Sequence, residues 1–318
     1  MIAVMDANLL QWKKQGQSFF RRLRVWVSLL DPSLLLSSDA EILKAHSLLG
    51  SGQKLNEKDN PAVILSLSSV HADSGAPLPF VFRPPAYLPI SGPLVVASLL
   101  PHSGVKAALF WQLLLQSYNA GFSHTNGNYS AEKSKKTSPK QLLLMAGTVS
   151  YTTFAGALPQ ILINRLRITS PPLQTFCRSI LPIPLSGVLA FLNVFTIRSE
   201  ETETGIQVFD YNGRPVGISK AAGAKAVKET AYSRAALFVA TAAVPNLLVL
   251  FLQRTRLFQR NSLLAAPCRH ISAALVLGLM IPVSFSLFPQ LGTIKRDDVE
   301  EELRAEAVGV QLFYHRGL

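Results

Sequence analysis

Long apolar stretches recur through the second two-thirds of the chain, and polar segments separate them. A helix that crosses a membrane needs about 17–25 predominantly apolar residues. Stretches of this length with few or no charges are 105–122, 142–163, 172–197, 235–252 and 271–288. The pattern predicts an α-helical multi-pass membrane protein with five transmembrane helices.

A sixth apolar stretch, 84–100, is uncharged but short, and prolines and glycines interrupt it. This composition is typical of a kinked or re-entrant segment, so the number of spans is five or six. With five spans the termini lie on opposite faces of the membrane. The chain is thereby divided into an N-terminal region (1–83), a transmembrane region (84–288) and a charged tail (289–318).

The N-terminal region is predicted to contain amphipathic helices. In a helix over 17–30, one face at 100° per residue holds Phe19, Leu23, Trp26, Val27 and Leu30. The residues predicted to lie off this face are Arg21, Arg22 and Arg24. Such a helix can lie in the membrane interface, or it can pack on the rest of the protein. A second helix is expected to begin near Ser38 or Asp39 and to end at Gly50.

The polar segment 205–222 predicts a β-hairpin between two spans. A strand pattern is followed by Asn212-Gly213, which tolerates the positive φ of a two-residue turn, and by a second strand. Ser219 can then cap a helix that continues into the next span. The residues expected to define this motif are Phe209, Asp210, Asn212, Gly213 and Gly217.

Composition supports the membrane class, because only 16% of residues are charged against about 25% in a soluble domain. The net charge is +12, and the basic residues flank apolar stretches instead of forming one stripe. This distribution favours an anionic membrane surface over nucleic acid as a partner. The two cysteines have no metal-ligand spacing. No nucleophile–base pair, metal cluster or phosphate loop is recognisable, so neither an enzyme nor a cofactor is expected.

Several motifs, spread along the chain, resemble those of one family. Segment 71–75 reads His-Ala-Asp-Ser-Gly, 116–120 reads Gln-Ser-Tyr-Asn-Ala, and 287–290 reads Leu-Phe-Pro-Gln. Together with 17–32 and the hairpin segment 205–222, they closely resemble the sideroflexin family in order and spacing. The resemblance covers almost the whole chain. It implies a multi-pass protein of the mitochondrial inner membrane that transports amino acids, serine among them, into mitochondria.

Segment 123–128 departs from the family pattern. It reads Ser-His-Thr-Asn-Gly-Asn where the family has Asn-Tyr-Thr-Asn-Arg-Asn. Glycine at 127 cannot supply the planar fork with which arginine binds a carboxylate. The double change Ser123→Asn and Gly127→Arg is therefore expected to increase serine uptake. The departures resemble a divergent branch of the family, which implies a role in respiratory complex I assembly and in iron–sulfur homeostasis. An amino-acid carrier and a non-transporting assembly factor remain alternatives, because both would share this fold.

A carrier of zwitterions needs polar groups near the middle of the membrane, and discontinuous helices often supply them. The clearest predicted discontinuity is Pro245-Asn246. Candidate residues of the substrate path or its motifs are His71, Asp73, Asn119, Asn126, Asn128 and Asn246. The alternative for the amides is hydrogen bonding to neighbouring helices, at roughly 1 kcal/mol each. For His71 and Asp73 the alternative is an ordered loop. Arg178, inside a predicted span, must be paired, interfacial or facing water.

Basic loops predict the orientation. With six spans, the N-terminal region, the hairpin loop and the tail lie on one side, together with Lys133, Lys135, Lys136 and Lys140. The other side receives fewer basic residues, namely Arg165, Arg167, Arg254, Arg256, Arg260 and Arg269. The more positive side is expected to face the mitochondrial matrix. Neither a secretory signal nor a transit-peptide pattern is recognisable, so internal targeting is expected. The expected partners are inner-membrane lipids, complex I assembly proteins and small amino acids.

Overall fold

The computed structural model of the protein is mostly helical. It describes residues 5–15, 18–51, 60–100, 102, 104–128, 139–165, 170–306 and 309–318. The α-helices are α1 (Ala7–Gln15), α2 (Phe19–Leu29), α3 (Asp39–Gly50), α4 (Asn60–Ser69), α5 (Tyr87–Leu99), α6 (Val105–Thr125), α7 (Pro139–Arg165), α8 (Pro171–Thr175), α9 (Pro182–Ile197), α10 (Ser199–Thr204), α11 (Lys220–Leu252), α12 (Arg256–Arg260), α13 (Ala265–Ser286) and α14 (Glu301–Glu306). The strands are β1 (Ile206–Phe209), β2 (Pro215–Ser219), β3 (Leu291–Lys295) and β4 (Gln311–His315). Lys133, Lys135, Lys136 and Arg167, which entered the predicted charge balance, lie outside the described residues.

Within the described part of the chain, four helices are long and apolar enough to cross a membrane: Pro139–Arg165, Pro171–Ile197, Lys220–Leu252 and Ala265–Ser286. They coincide with four predicted spans and confirm the multi-pass helical fold. The predicted span 105–122 lies in α6, whose 21 residues reach roughly 31 Å at 1.5 Å per residue, but this helix is more polar. The short stretch 84–100 contains α5, with 13 residues and Pro93 inside it.

Helix α11 begins at Lys220, as predicted, and continues through the predicted span 235–252. The Ser219 hydroxyl accepts from the Ala222 N–H at 3.1 Å and caps the helix as predicted. The predicted discontinuity at Pro245 is wrong, because α11 runs through it to Leu252. One proline removes only one intrahelical hydrogen bond, and α9 and α13 pack along α11.

Two glycines allow close packing around α11. A Cβ atom at Gly187 of α9 would lie 2.4 Å from Val239 Cγ2, so only glycine fits there without a shift. A Cβ atom at Gly223 of α11 would lie 2.1 Å from the Glu201 carbonyl oxygen. The first contact joins two spans, and the second holds the short helix α10 against the start of α11.

Helix α2 packs on the protein through a face that includes Trp26 and Leu29. The predicted face was partly wrong, because Val27 is 59% exposed and Arg22 is buried. Arg22 Nε donates to the Ser286 carbonyl at 2.9 Å. The last carbonyls of a helix lack partners within that helix. Arg22 is buried because it donates to such a carbonyl at the end of α13. Helix α3 follows the prediction, with Ser38 and Glu41 forming a capping box.

The predicted hairpin forms half of a larger sheet. The strand order is β2-β1-β4-β3, and every pairing is antiparallel. The tail therefore supplies β3 and β4, which the sequence analysis did not predict. Gly213 has the predicted positive φ, at +78°. The predicted two-residue turn is wrong, because the Asp210 N–H donates to the Arg214 carbonyl and encloses three residues.

Candidate functional site

A cavity of about 510 Å³ lies inside the helical bundle. We call the end of the bundle that carries the four-stranded sheet the sheet end, and the opposite end, near α8 and α12, the distal end. The cavity reaches the surface at the distal end, where exposed Arg178 belongs to its lining. Towards the sheet end it stops at the buried side chains of Tyr87, Phe122 and Arg234. The bundle thus encloses a chamber that opens on one side.

Arg234 of α11 forms the inner end of this chamber and is 3% exposed. Its Cζ atom lies 4.3 Å from the ring centre of Phe285, 5.5 Å from that of Phe122 and 5.6 Å from that of Tyr87. These rings favour a cation over their faces. Among the described residues Arg234 has no carboxylate partner, and its Nη2 is buried without a hydrogen bond. A buried guanidinium in this state can accept an anionic ligand.

Amide side chains line the wall between the two ends. The Tyr87 hydroxyl donates to Asn119 Oδ1 at 3.2 Å. Both amide atoms of Asn193 are buried without a hydrogen-bond partner in the described structure. Gly156 of α7 leaves room for Gln112, since a Cβ atom there would lie 2.5 Å from Gln112 Oε1. These uncharged donors and acceptors suit a small polar solute.

A π-helical turn, Phe176–Ile180, shapes the distal end of the chamber. Single π-helical turns inside longer helices are frequent at functional sites. This turn brings the consecutive residues Cys177, Arg178 and Ser179 to the lining. Arg269 and His270 of α13 also belong to it. The structure therefore places Arg178 at the mouth of the chamber, which is one of the positions predicted for it.

Most of the predicted site residues lie outside this chamber. His71 Nδ1 accepts from the Asp73 N–H at 3.2 Å, so its Nε2 donates to the Gly127 carbonyl at 2.7 Å. Asp73 Oδ1 lies 3.2 Å from His315 Nδ1. Burial lowers the pKa of His71, although the nearby Asp73 charge acts in the opposite direction. His71 and Asp73 join the N-terminal region to the tail at the sheet end.

Asn126 and Asn128 belong to the same junction. Asn126 Nδ2 donates to the Phe82 carbonyl at 2.9 Å, and Asn128 Nδ2 donates to Glu201 Oε2 at 2.8 Å. Glu201 in turn forms a buried bidentate pair with Arg198, at 2.5 and 2.7 Å. These contacts support the alternative of hydrogen bonding for both amides.

Gly127 faces this ion pair and not the chamber. A Cβ atom at 127 would lie 2.8 Å from Glu201 Oε1 and 3.3 Å from Arg198 Nε. The side chain of an arginine introduced at 127 would lie next to Arg198, a buried cation that is already paired with Glu201. The physical premise for Gly127→Arg as a substrate ligand is therefore corrected, whereas Ser123 does line the chamber.

Of the six predicted path residues, Asn119 lines the chamber and Asn246 does not. Asn246 is buried, and its Nδ2 donates to the Ala242 carbonyl of its own helix at 2.9 Å.

The hairpin residues have structural contacts. Phe209 pairs with Phe313, Asp210 Oδ1 accepts from the Arg214 N–H, and Gly217 meets Leu303. Asn212 is exposed in the turn.

Arg234 was not predicted as a site residue, because it was counted among the basic residues of the hairpin loop. The predicted helix that Ser219 caps and that continues into 235–252 already contains this arginine. Gln112 and Tyr87 carry no distinctive local signal, and Gln116 was noted only as the first residue of the 116–120 motif. In the described residues no group of three His, Cys, Asp or Glu side chains could hold a metal ion.

The fold and chamber define a multi-pass helical membrane protein with an interior cavity that contains amide and guanidinium side chains, and with a sheet at one end. A family model described as Sideroflexins matches residues 7–318, so the chain belongs to the sideroflexin family. The chain is 53% identical to Sideroflexin-4 of Danio rerio, with 99% of this chain and 100% of that protein covered. It is 35% identical to Sideroflexin-4 of Homo sapiens (99% and 94% covered) and 28% identical to human Sideroflexin-5 (96% and 91% covered). No solved structure matches the chain.

Proposed function

We propose that this protein is a carrier of small amino acids in the mitochondrial inner membrane. The observation that carries the proposal is the amide-lined chamber that ends at Arg234, a buried guanidinium without a carboxylate partner among the described residues. An amino acid offers the missing carboxylate. In the low dielectric of the bundle, a charge-assisted hydrogen bond to it is stronger than one in water.

The one-sided opening of the chamber supports a carrier rather than a channel. Tyr87, Phe122 and Phe285 close the sheet end around Arg234. In this proposal, a solute enters from the distal end, binds Arg234, and leaves after the bundle closes distally and opens beside these rings. Apolar side chains exposed on the outer surface, such as Phe154, Leu275 and Leu279, then contact the membrane lipids.

Uptake by purified protein in liposomes tests the proposal. We expect labelled amino acid to accumulate with the parent protein. Arg234→Gln should reduce uptake at least tenfold, because glutamine removes the charge. Arg234→Lys should retain part of it, since lysine keeps the charge without the bidentate fork. Arg254→Gln is a matched control, as Arg254 is exposed at the distal end outside the chamber lining. Absence of uptake for every amino acid, by protein with an unchanged melting temperature, would contradict the carrier proposal.

The second candidate is a non-transporting assembly factor for respiratory complex I, linked to iron–sulfur homeostasis. The sheet end favours this candidate, because β2 and β3 are edge strands that offer backbone groups to a protein partner. Tyr211 and Val310 are 69% and 78% exposed there. Rescue of complex I levels in cells that lack the protein separates the two functions. A variant with Arg234→Gln should still rescue complex I if assembly is the only role.

A further inference from the structure

The charges along the chamber are all of one sign. Its described lining contains three arginines, Arg178, Arg234 and Arg269, and one histidine, His270. It contains no aspartate or glutamate in the part of the chain that the structure describes. The inner end and the mouth are therefore both cationic, and the polar side chains of the described wall between them, which lie among apolar ones, are uncharged.

The two arginines at the mouth come from different elements. Arg178 is on the π-helical turn, and Arg269 is on the first turns of α13. Both side chains line the same mouth of the chamber. Neither has a salt-bridge partner among the described residues, and Arg269 Nε is buried without a hydrogen bond. Two guanidinium groups held together without an acidic residue form a place for an anion.

Three other arginines at the distal end provide an internal comparison. Arg254, Arg256 and Arg260 lie at the same end of the bundle and outside the chamber lining. Arg178 and Arg269 differ from them because they face the chamber. A role at the membrane surface therefore does not account for their position.

We propose that the chamber selects solutes with a net negative charge, so that among amino acids it prefers acidic over neutral ones. This inference rests on the proposed carrier function and specifies its substrate class. One carboxylate of the solute binds Arg234. The net negative charge of the solute favours its entry between Arg178 and Arg269. The ammonium group of a neutral amino acid meets no carboxylate on the described wall, and the cations at both ends repel it.

Aspartate and asparagine are the matched probes, because they have nearly the same shape and differ by one charge. Uptake of each labelled compound by the parent protein in liposomes is measured at pH 7.5. Thermal stabilisation of the protein in detergent by each compound provides a reading that does not depend on transport. We expect aspartate to be preferred at least tenfold over asparagine in uptake and to stabilise the protein at lower concentration. Tenfold corresponds to about 1.4 kcal/mol.

The double variant Arg178→Gln and Arg269→Gln should bring the aspartate preference close to unity. The corresponding double lysine variant should retain the preference, which shows that charge and not shape is responsible. Arg254→Gln with Arg256→Gln removes the same total charge outside the chamber and should leave the preference unchanged. Melting temperatures of all variants show whether each is folded.

Equal uptake of aspartate and asparagine by the parent would overturn this inference and leave the carrier proposal intact. A preference that falls equally in the Arg254→Gln and Arg256→Gln control would also overturn it, because a general surface charge would then be the cause. No uptake and no stabilisation by any amino acid would overturn both proposals. Stabilisation by aspartate alone, without uptake, would support the anion site and contradict transport.

Discussion

Two buried arginines of this protein have opposite electrostatic surroundings. Arg198 forms a bidentate pair with Glu201 and also donates to the Thr230 hydroxyl and the Arg316 carbonyl. Arg234 lies over aromatic rings without an acidic partner among the described residues. In the first arrangement the arginine charge is already neutralised by Glu201, so its role is structural. The second can be completed by a ligand.

The Arg198–Glu201 pair should be important for stability. Glu201→Gln leaves the Arg198 charge buried without its carboxylate, and we expect the free energy of unfolding to fall by about 3–5 kcal/mol. The matched control is Glu203→Gln in the same helix, which breaks the exposed pair with Lys140 and should cost about 1 kcal/mol or less. Unfolding in detergent measures both changes. Equal losses for the two variants would show that burial of the Arg198 pair contributes little.

His71 should make stability dependent on pH. Its folded-state pKa is lowered by burial, so the unfolded chain, with a histidine pKa of about 6.5, takes up the proton first as the pH falls. The contribution of neutral His71 is therefore present above about pH 6.5 and is lost below it. Asp73, His315 and Glu201 are the titratable groups that act on His71.

The comparison uses His71→Gln, which keeps a donor for the Gly127 carbonyl and does not titrate. Between pH 7.5 and 5, the melting temperature of the parent should fall more steeply than that of the variant. His46 provides a control of opposite sign, because the Asp6 hydrogen bond raises its pKa. Its contribution is present at low pH and is lost as the pH rises. If the melting temperatures of the parent and of His71→Gln fall equally between pH 7.5 and 5, the pH dependence is not due to His71.

Among the elements, the hairpin turn depends on one glycine. Gly213 has φ +78°, and a Cβ atom there would lie 3.3 Å from Met5 Cβ. Gly213→Val should destabilise the protein by about 1–3 kcal/mol, because a β-branched side chain is strained at positive φ. Gly213→Asn should cost less, since asparagine tolerates this conformation. Thermal unfolding of the two variants tests the difference, and equal effects would exclude backbone strain as the cause.

The turn also shows what the sequence could predict. Asn212-Gly213 is a local signal, and it correctly indicated a hairpin with positive φ at Gly213. The strands that complete the sheet come from the tail, where Phe313 pairs with Phe209 across about a hundred positions. Pairing at such a distance leaves no local pattern. Likewise, the spans were predicted from runs of apolar residues, whereas the chamber depends on which faces of the surrounding helices meet.

For the whole molecule, the orientation in the membrane determines the side to which the chamber opens. If the sheet end faces the matrix, a cysteine in place of Arg214, which is exposed near the hairpin turn, should resist an impermeant thiol reagent in mitoplasts. A cysteine in place of Arg254 at the distal end should react. Both variants are made after replacing Cys177 and Cys268 by serine. Detergent should make the Arg214→Cys site reactive, which shows that the thiol itself is accessible.

The opposite labelling pattern, with a known matrix thiol still protected, would reverse the orientation. The chamber would then open to the matrix and not to the intermembrane space. The proposed transport would still be feasible, but the solute would first bind from the matrix side. The orientation rests on basic loops, some of which lie outside the described residues, so labelling is a more direct test than counting charges.

A single helix, α11, belongs to both candidate functions. Near its start it is joined to the sheet and its surroundings, through Glu229 to Tyr314 and through Thr230 to Arg198. One turn further on, it holds Arg234 at the inner end of the chamber. If a protein bound at the sheet displaces α11, it must change the affinity of the chamber for its solute. By thermodynamic reciprocity the solute then changes the affinity for that protein by the same factor. The concentration of a metabolite would in this way set the occupancy of an assembly partner, without any contact between the two ligands.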